Sequence, residues 1–181
     1  TLTPETPVTL RWDNGQGLVF HRTIALDEHF LFTVTDRIEN NSGAPVTLYP
    51  YGLVSRTGRP AGSSFFILHE GFLGEFPSVG EKAIKYEDAA EDGPVKVTDN
   101  DGWLGITDKY WAAAIVPQTG KSFVANFSEH PDQAIENYQA DFRYDAQDIP
   151  AGGSIEIANR LFAGAKVSKV IDSYHEAGIY K

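Results

Sequence analysis

Along most of the chain, hydrophobic and polar residues alternate with a period of two, the spacing that places every second side chain of a strand on the same face. Val8, Leu10 and Trp12 alternate with Thr9, Arg11 and Asp13, and Asn14-Gly15 then predicts a tight hairpin turn into a run starting near Gly17. In that run Leu18, Phe20, Ile24 and Leu26 share a face. In the next, Phe30, Phe32, Val34 and Ile38 lie opposite Thr33, Thr35 and Arg37, and Asn40 to Pro45 reads as a turn. Val46 to Arg56 is strand-like around Tyr49-Pro50-Tyr51. Proline cannot donate to a ladder, so this stretch is expected on a sheet edge or at a bulge.

Gly58 to Ser63 breaks the pattern. The apolar run Phe65-Phe66-Ile67-Leu68 predicts a strand buried on both faces, a glycine-rich stretch from Gly71 to Gly80 follows, and Glu87 to Pro94 reads as an acidic, exposed loop. Alternation resumes at Val95 to Thr98, Trp103 to Thr107 and Tyr110 to Val116, with turns at Asp99 to Gly102 and Pro117 to Gly120. It continues through Phe123/Ala125/Phe127, Tyr138/Ala140/Phe142/Tyr144 and Ile155/Ile157/Leu161, the last two sets separated by Pro150 to Gly153. Only the end changes period. Val167, Val170, Ile171 and Tyr174 fall at i, i+3, i+4 and i+7 before a Gly178 stop, predicting a single helix over residues 164–178. About ten short strands and one terminal helix describe an all-β protein, an antiparallel sandwich forming one domain over residues 1–181.

Composition narrows the function classes. The 181 residues carry 15 Lys+Arg against 25 Asp+Glu, a net charge of −10. A surface of that sign repels phosphate backbones, which argues against a nucleic-acid partner. With 41% hydrophobic and 12% aromatic residues the chain is globular. No apolar run reaches the ~18 residues of a spanning helix. The absence of any methionine is expected of an excised or processed part of a longer protein, and the absence of cysteine removes disulfides and thiolate chemistry together.

Candidate chemistry is thin. His21, His29, His69, His130 and His175 show no metal-ligand spacing. Asp99-Asn100-Asp101-Gly102 begins like a calcium loop, but Leu104 and Tyr110 stand where glycine and glutamate are required, so it reads as an ordinary turn. No serine elbow or phosphate-cradling loop is present. His69-Glu70 could supply a base and a carboxylate, yet neighbours on a strand point to opposite faces, and a strand end bonded to a loop is the plainer reading. No catalytic residue, metal or cofactor is therefore expected.

Four strings carry a resemblance: Tyr51-Gly52-Leu53-Val54-Ser55-Arg56, then Leu68-His69-Glu70-Gly71-Phe72-Leu73-Gly74, then Gly102-Trp103-Leu104-Gly105-Ile106-Thr107-Asp108-Lys109-Tyr110-Trp111, then Leu161-Phe162-Ala163-Gly164-Ala165-Lys166. In this order they resemble the large periplasmic domain of the bacterial YidC family of membrane-protein insertases, in an alphaproteobacterial variant. The resemblance implies a β-supersandwich similar to galactose-mutarotase-like domains, held in the periplasm at the bacterial inner membrane. It implies a non-catalytic role in insertion, with Sec translocon accessory subunits and nascent membrane proteins as partners. The chain resembles that domain from after its first strands, so the sandwich is expected to be open at one edge or completed by another chain. Exposed edge strands can accept an added strand, which nominates Tyr49, Tyr51 and Arg56 for partner binding. The apolar stripe Val167, Val170, Ile171 and Tyr174 is expected to dock on the sandwich and couple it to the membrane. The alternative function is a carbohydrate-binding or carbohydrate-active sandwich, suggested by the aromatic content.

Overall fold

A computed structural model describes residues 1–59, 69–132 and 135–176. The strands are β1 (Val8–Asp13), β2 (Leu18–Leu26), β3 (Leu31–Asn40), β4 (Val46–Leu48), β5 (Tyr51–Thr57), β6 (Gly71–Phe76), β7 (Gly80–Lys85), β8 (Val95–Asp99), β9 (Trp103–Thr107), β10 (Trp111–Val116), β11 (Phe123–Asp132), β12 (Ile135–Tyr144), β13 (Gln147–Ile149) and β14 (Ser154–Ala165). Helix α1 spans Tyr86–Asp92 and α2 spans Ser168–Glu176. An eight-stranded sheet of order β1-β2-β3-β14-β10-β9-β6-β7 faces a four-stranded sheet of order β5-β12-β11-β8, and β13 and β4 form a small ribbon. All pairings are antiparallel.

The core lies between the two sheets, where period two brings one face of each strand inward. Phe72 and Phe76 of β6, Leu104 of β9, Ile115 of β10 and Ile157 of β14 meet Phe123, Ala125 and Phe127 of β11 and Tyr138, Ala140, Phe142 and Tyr144 of β12. Their rings pack edge-on or tilted, at 5.5 Å for Phe72–Phe127 and 5.1 Å for Phe142–Tyr144, geometries that favour the ring quadrupoles.

Several expectations are corrected. The acidic segment read as an exposed loop is α1, because Tyr86 and Ala89 stand three apart and bury themselves in the core while Glu87 and Asp88 suit the positive end of the helix dipole. There are thus two helices, not one, among the described residues. The glycine-rich stretch from Gly71 contains β6: Gly71 has φ 148°, and a Cβ there would stand 2.1 Å from the Ile84 carbonyl oxygen, so its glycine allows strands to close rather than breaking them. Among the described residues fourteen strands stand where about ten were expected, because short pieces such as β4 and β13 are too brief to leave a periodic signal. The first hairpin is wider than a two-residue turn: Asp13 pairs with Val19, Gly15 and Gly17 take positive φ, and the Asn14 side chain accepts from the backbone N–H of Gln16 and Leu18. The strand expected at Phe65 to Leu68 lies outside the described residues.

At the carboxy-terminal end β14 runs on to Ala165, so α2 begins at Ser168 rather than near residue 164, and residues 177 and 178 are outside the described part. Val167 precedes the helix and is exposed instead of docked. The β10–β14 pairing of Trp111 with Ala165 holds that segment extended where periodicity alone suggested helix. Asn40, read only as the start of a turn, is fully buried. Its Nδ2 donates to the carbonyls of Ala44, Ile149 and Pro150, and its Oδ1 accepts from the Ser42 N–H and hydroxyl.

Candidate functional site

The inner face of the large sheet is wider than the small sheet that covers it. Register carries one row of side chains outward from the core, from Ile157 of β14 through Asp36 and Arg22 to Leu10 of β1, and a second from Ile155 through Ile38 and Phe20 to Trp12. The inner ends of these rows join the core, whereas Leu10 and Trp12 are exposed. Tyr49 and Pro50, between β4 and β5, and Tyr51, the first residue of β5, supply the opposite wall of a cleft of about 540 Å³.

On the cleft floor Arg22 donates from Nε and Nη2 to both oxygens of Asp36 at 2.7 and 2.8 Å. The Asp36 hydrogen bond, against the opposing effect of burial, holds the Arg22 guanidinium charged above its usual range. Trp12 leans on Phe20 at 5.1 Å between centroids, and the Arg143 guanidinium lies 5.4 Å from the Tyr49 ring centre, within cation–π range. The cleft therefore offers aromatic faces and an internally neutralised ion pair. Its two bordering strands, β1 and β5, are the outer strands of their sheets among the described residues, with one backbone edge unpaired.

The three residues nominated from Val46 to Arg56 separate. Tyr49 and Tyr51 line the cleft together. Arg56, toward the other end of β5, forms an ion pair with Asp108 and donates from Nε to the Gly58 carbonyl at 3.1 Å. Because the Tyr86 hydroxyl also donates to Asp108, at 3.2 Å, the cluster ties the small sheet to the β9–β10 connection. Burial, reinforced by the Asp108 charge, pushes the Tyr86 phenol well above its ordinary range. Sequence reasoning missed Leu10, Trp12, Arg22 and Asp36 as cleft residues. Their alternation marks them as one face, but nothing in it reveals that this end of the face is uncovered.

On the outer face of the large sheet, α2 lies across β3, β10 and β14. The Tyr174 hydroxyl donates to Asp27 Oδ2 at 2.6 Å and its ring meets Phe162 edge-on at 6.2 Å. Burial raises the Asp27 carboxyl, but the hydrogen bonds from Tyr174 and from the Leu31 and His29 N–H groups outweigh it and leave the group below its ordinary range. Ile171 overhangs an apolar cavity of about 240 Å³ whose floor carries Ala112 and Ala114 and whose walls include Leu31, Leu73, Trp103 and Phe162. Val170 is half-buried.

His69 and Glu70 serve different partners: His69 Nε2 bonds the Phe72 carbonyl at 2.9 Å, while Glu70 accepts from the Lys109 N–H at 3.0 Å. Among the described residues no group of three His, Asp or Glu side chains could hold a metal, and no helix is long and apolar enough to cross a membrane.

Comparison with known proteins agrees with the sequence strings. The family model described as the YidC periplasmic domain matches residues 1–179. The chain is 52% identical over 172 residues to the membrane protein insertase YidC of Nitrobacter hamburgensis, covering 94% of this chain and 28% of that protein. It is 48% identical over 183 residues to the protein of the same name from Beijerinckia indica, covering 99% of this chain and 30% of that one. The chain thus spans less than a third of the length of these relatives. Among solved structures it is similar to a galactose mutarotase related enzyme from Lactobacillus acidophilus, with a TM-score of 0.61 at 11% identity, covering 88% of this chain and 68% of that one. At that identity the likeness carries the sandwich fold alone. The relatives support the insertase reading and not the carbohydrate one.

Proposed function

The chain belongs to the YidC periplasmic domain family, and from that premise we propose that it is the non-catalytic periplasmic part of a bacterial inner-membrane insertase, assisting insertion and folding of membrane proteins alone or with the Sec translocon. The observation that carries the reading is the family match over residues 1–179. The divergent hydrogen-bond partners of His69 and Glu70 support a role without catalysis. In this reading the cleft walled by Trp12, Tyr49 and Tyr51 receives an extended segment of a Sec accessory subunit or of a nascent chain. Backbone pairing at a free strand edge supplies affinity, and the rings supply selectivity. Helix α2, seated through Ile171 and Tyr174, carrying Val170 and preceded by Val167, fixes how the sandwich is held relative to the membrane part.

The test is a chimaera of the Nitrobacter hamburgensis relative in which this chain replaces the matching segment. Insertion of a reporter membrane protein is expected to survive. Trp12→Ser combined with Tyr51→Ser is expected to lower crosslinking to Sec accessory subunits. A chimaera that accumulates but inserts nothing refutes the functional assignment, and unchanged crosslinking in the double variant removes the cleft from it.

A further inference from the structure

One corner of the sandwich gathers large apolar side chains from three separate segments and leaves them in water. Phe30, in the β2–β3 connection, is 58% exposed, Tyr110 and Trp111, at the start of β10, are 65% and 63% exposed, and Val167, between β14 and α2, is 50% exposed. They are neighbours in space: the Phe30 carbonyl accepts from the Ala163 N–H at 3.2 Å, the Tyr110 carbonyl accepts from the Lys166 N–H at 2.8 Å, and Phe30, Trp111, Val167 and Val170 border one shallow depression of about 390 Å³. Clustered exposure of this kind marks an interaction surface, whereas single exposed apolar residues need no explanation.

Phe30 gives a second, independent sign. Its φ of 68° is the only positive value at a non-glycine residue among the described residues. That conformation is strained for a bulky side chain, and Asn or Gly would occupy it without strain. The same substitution would remove an exposed ring from water. A residue that is unfavourable both for its backbone and for its hydration is explained by what the ring does outside the fold.

Charge distinguishes between partners. In a protein of net charge −10, the lysines next in sequence to the corner residues, Lys109 beside Tyr110, Lys166 beside Val167 and Lys169 beside Val170, are all exposed. Lys109 Nζ sits 5.1 Å from the Tyr110 ring centre, and Lys166 Nζ donates to the Thr107 hydroxyl; neither has a carboxylate within 4.0 Å among the described residues. Of the nearby acids, Asp27 is bonded to Tyr174, Asp108 is paired with Arg56 and Glu70 accepts from the Lys109 backbone, while Glu28 and Asp172 are exposed. His29, in the same loop as Phe30, adds a positive charge when protonated. Trp and Tyr with lysine around an apolar tip is the composition that settles at the headgroup level of a bilayer. At a Debye length of about 8 Å the net negative charge of the rest of the molecule is screened from this corner.

We propose that the corner formed by Phe30, Tyr110, Trp111 and Val167 docks on a bilayer surface, its rings entering the interface and Lys109 and Lys169 meeting anionic headgroups. The inference goes beyond the insertase reading and does not rest on it, since vesicle binding by this chain and insertion by the chimaera can each fail alone. The experiment is sedimentation of the chain with vesicles of phosphatidylcholine alone and with one-third phosphatidylglycerol, together with fluorescence quenching by phosphatidylcholine brominated in its acyl chains. Binding to the anionic vesicles is expected, weakened about fivefold by each of Lys109→Gln and Lys169→Gln. Bromolipid is expected to quench the chain, and Trp111→Phe to abolish that quenching while Trp12 and Trp103 remain. Phe30→Asn is expected to weaken binding while leaving the thermal transition unchanged or higher, so loss of binding there cannot be misfolding. Trp12→Ser, on the opposite part of the sheet, is expected to bind as the parent does. Absence of binding to either vesicle, or undiminished binding by both Phe30→Asn and Trp111→Ser, overturns the proposal. So does a dimer in sedimentation velocity that Trp111→Ser dissolves, which would assign the corner to a second copy of the chain.

Discussion

Replacing Tyr174 tests what holds α2 to the sandwich. The helix has nine residues, well below the length at which an isolated helix persists in water, so its order must come from docking. Tyr174 is its one buried residue, and a tyrosine that buries about 150–250 Å² gains about 4–6 kcal/mol at ~25 cal/mol per Å². A compact unfolded state reduces that to about 2–5 kcal/mol. The hydroxyl bond to Asp27 adds about 1 kcal/mol, less than is usual for a charged acceptor because Asp27 is partly solvated. Tyr174→Phe should therefore lower the protection of α2 amides against hydrogen exchange about fivefold, and Tyr174→Ala should lower it by two orders of magnitude or more. Protection in β11 and β12, at the core, should change far less. The Asp27 bond also carries a sign in pH. The folded chain keeps this carboxyl ionised to lower pH than the unfolded chain, so its contribution is present above about pH 4 and is lost as pH falls through the depressed folded value. The acid loss of α2 protection should be shallower in Tyr174→Phe. If Tyr174→Ala and the parent exchange their α2 amides equally, α2 is not held by this side chain and the reasoning fails.

Other outcomes follow from the same structure. Asn40→Ala removes five hydrogen bonds of a buried side chain, although the Ala44 carbonyl keeps the Ser42 hydroxyl and the Pro150 carbonyl keeps the Gly153 N–H, and is expected to lower stability in urea by about 2–4 kcal/mol, with Asn40→Asp worse because a carboxylate would face those carbonyls. Gly71→Ala places a methyl 2.1 Å from the Ile84 carbonyl oxygen at a φ of 148°, so soluble yield and the thermal transition should collapse, whereas Gly80→Ala, with open space around it, should cost about 1 kcal/mol. Ile171→Asp, which brings a carboxylate over the apolar cavity, is expected to release α2 to limited proteolysis, while a charge reversal at Glu87, on the exposed side of α1, should not.

Period-two alternation carried the antiparallel strands and the core residues from Phe123 to Tyr144, Pro50 carried the edge position of the Tyr51 to Arg56 strand, and the change to helical spacing carried the helix around Ile171. These depend on which side chains share a face, and that is set by residues a few positions apart. Four strings of sequence carried the family. What alternation could not decide is whether another element lies on a given face. Ile157 and Leu10 sit on the same sheet face, yet one is covered by the small sheet and the other is open to water, because β5, contributed by a segment about forty residues further along, ends the cover between them. The acidic run at Glu87 became a helix only because Tyr86 and Ala89 find the core beneath them, and Asn40 became a buried hub only because the carbonyls of Ile149 and Pro150 arrive from more than a hundred residues away. Local chemistry therefore determined the elements, and the long-range pairing of strands determined which of their faces were left for a partner.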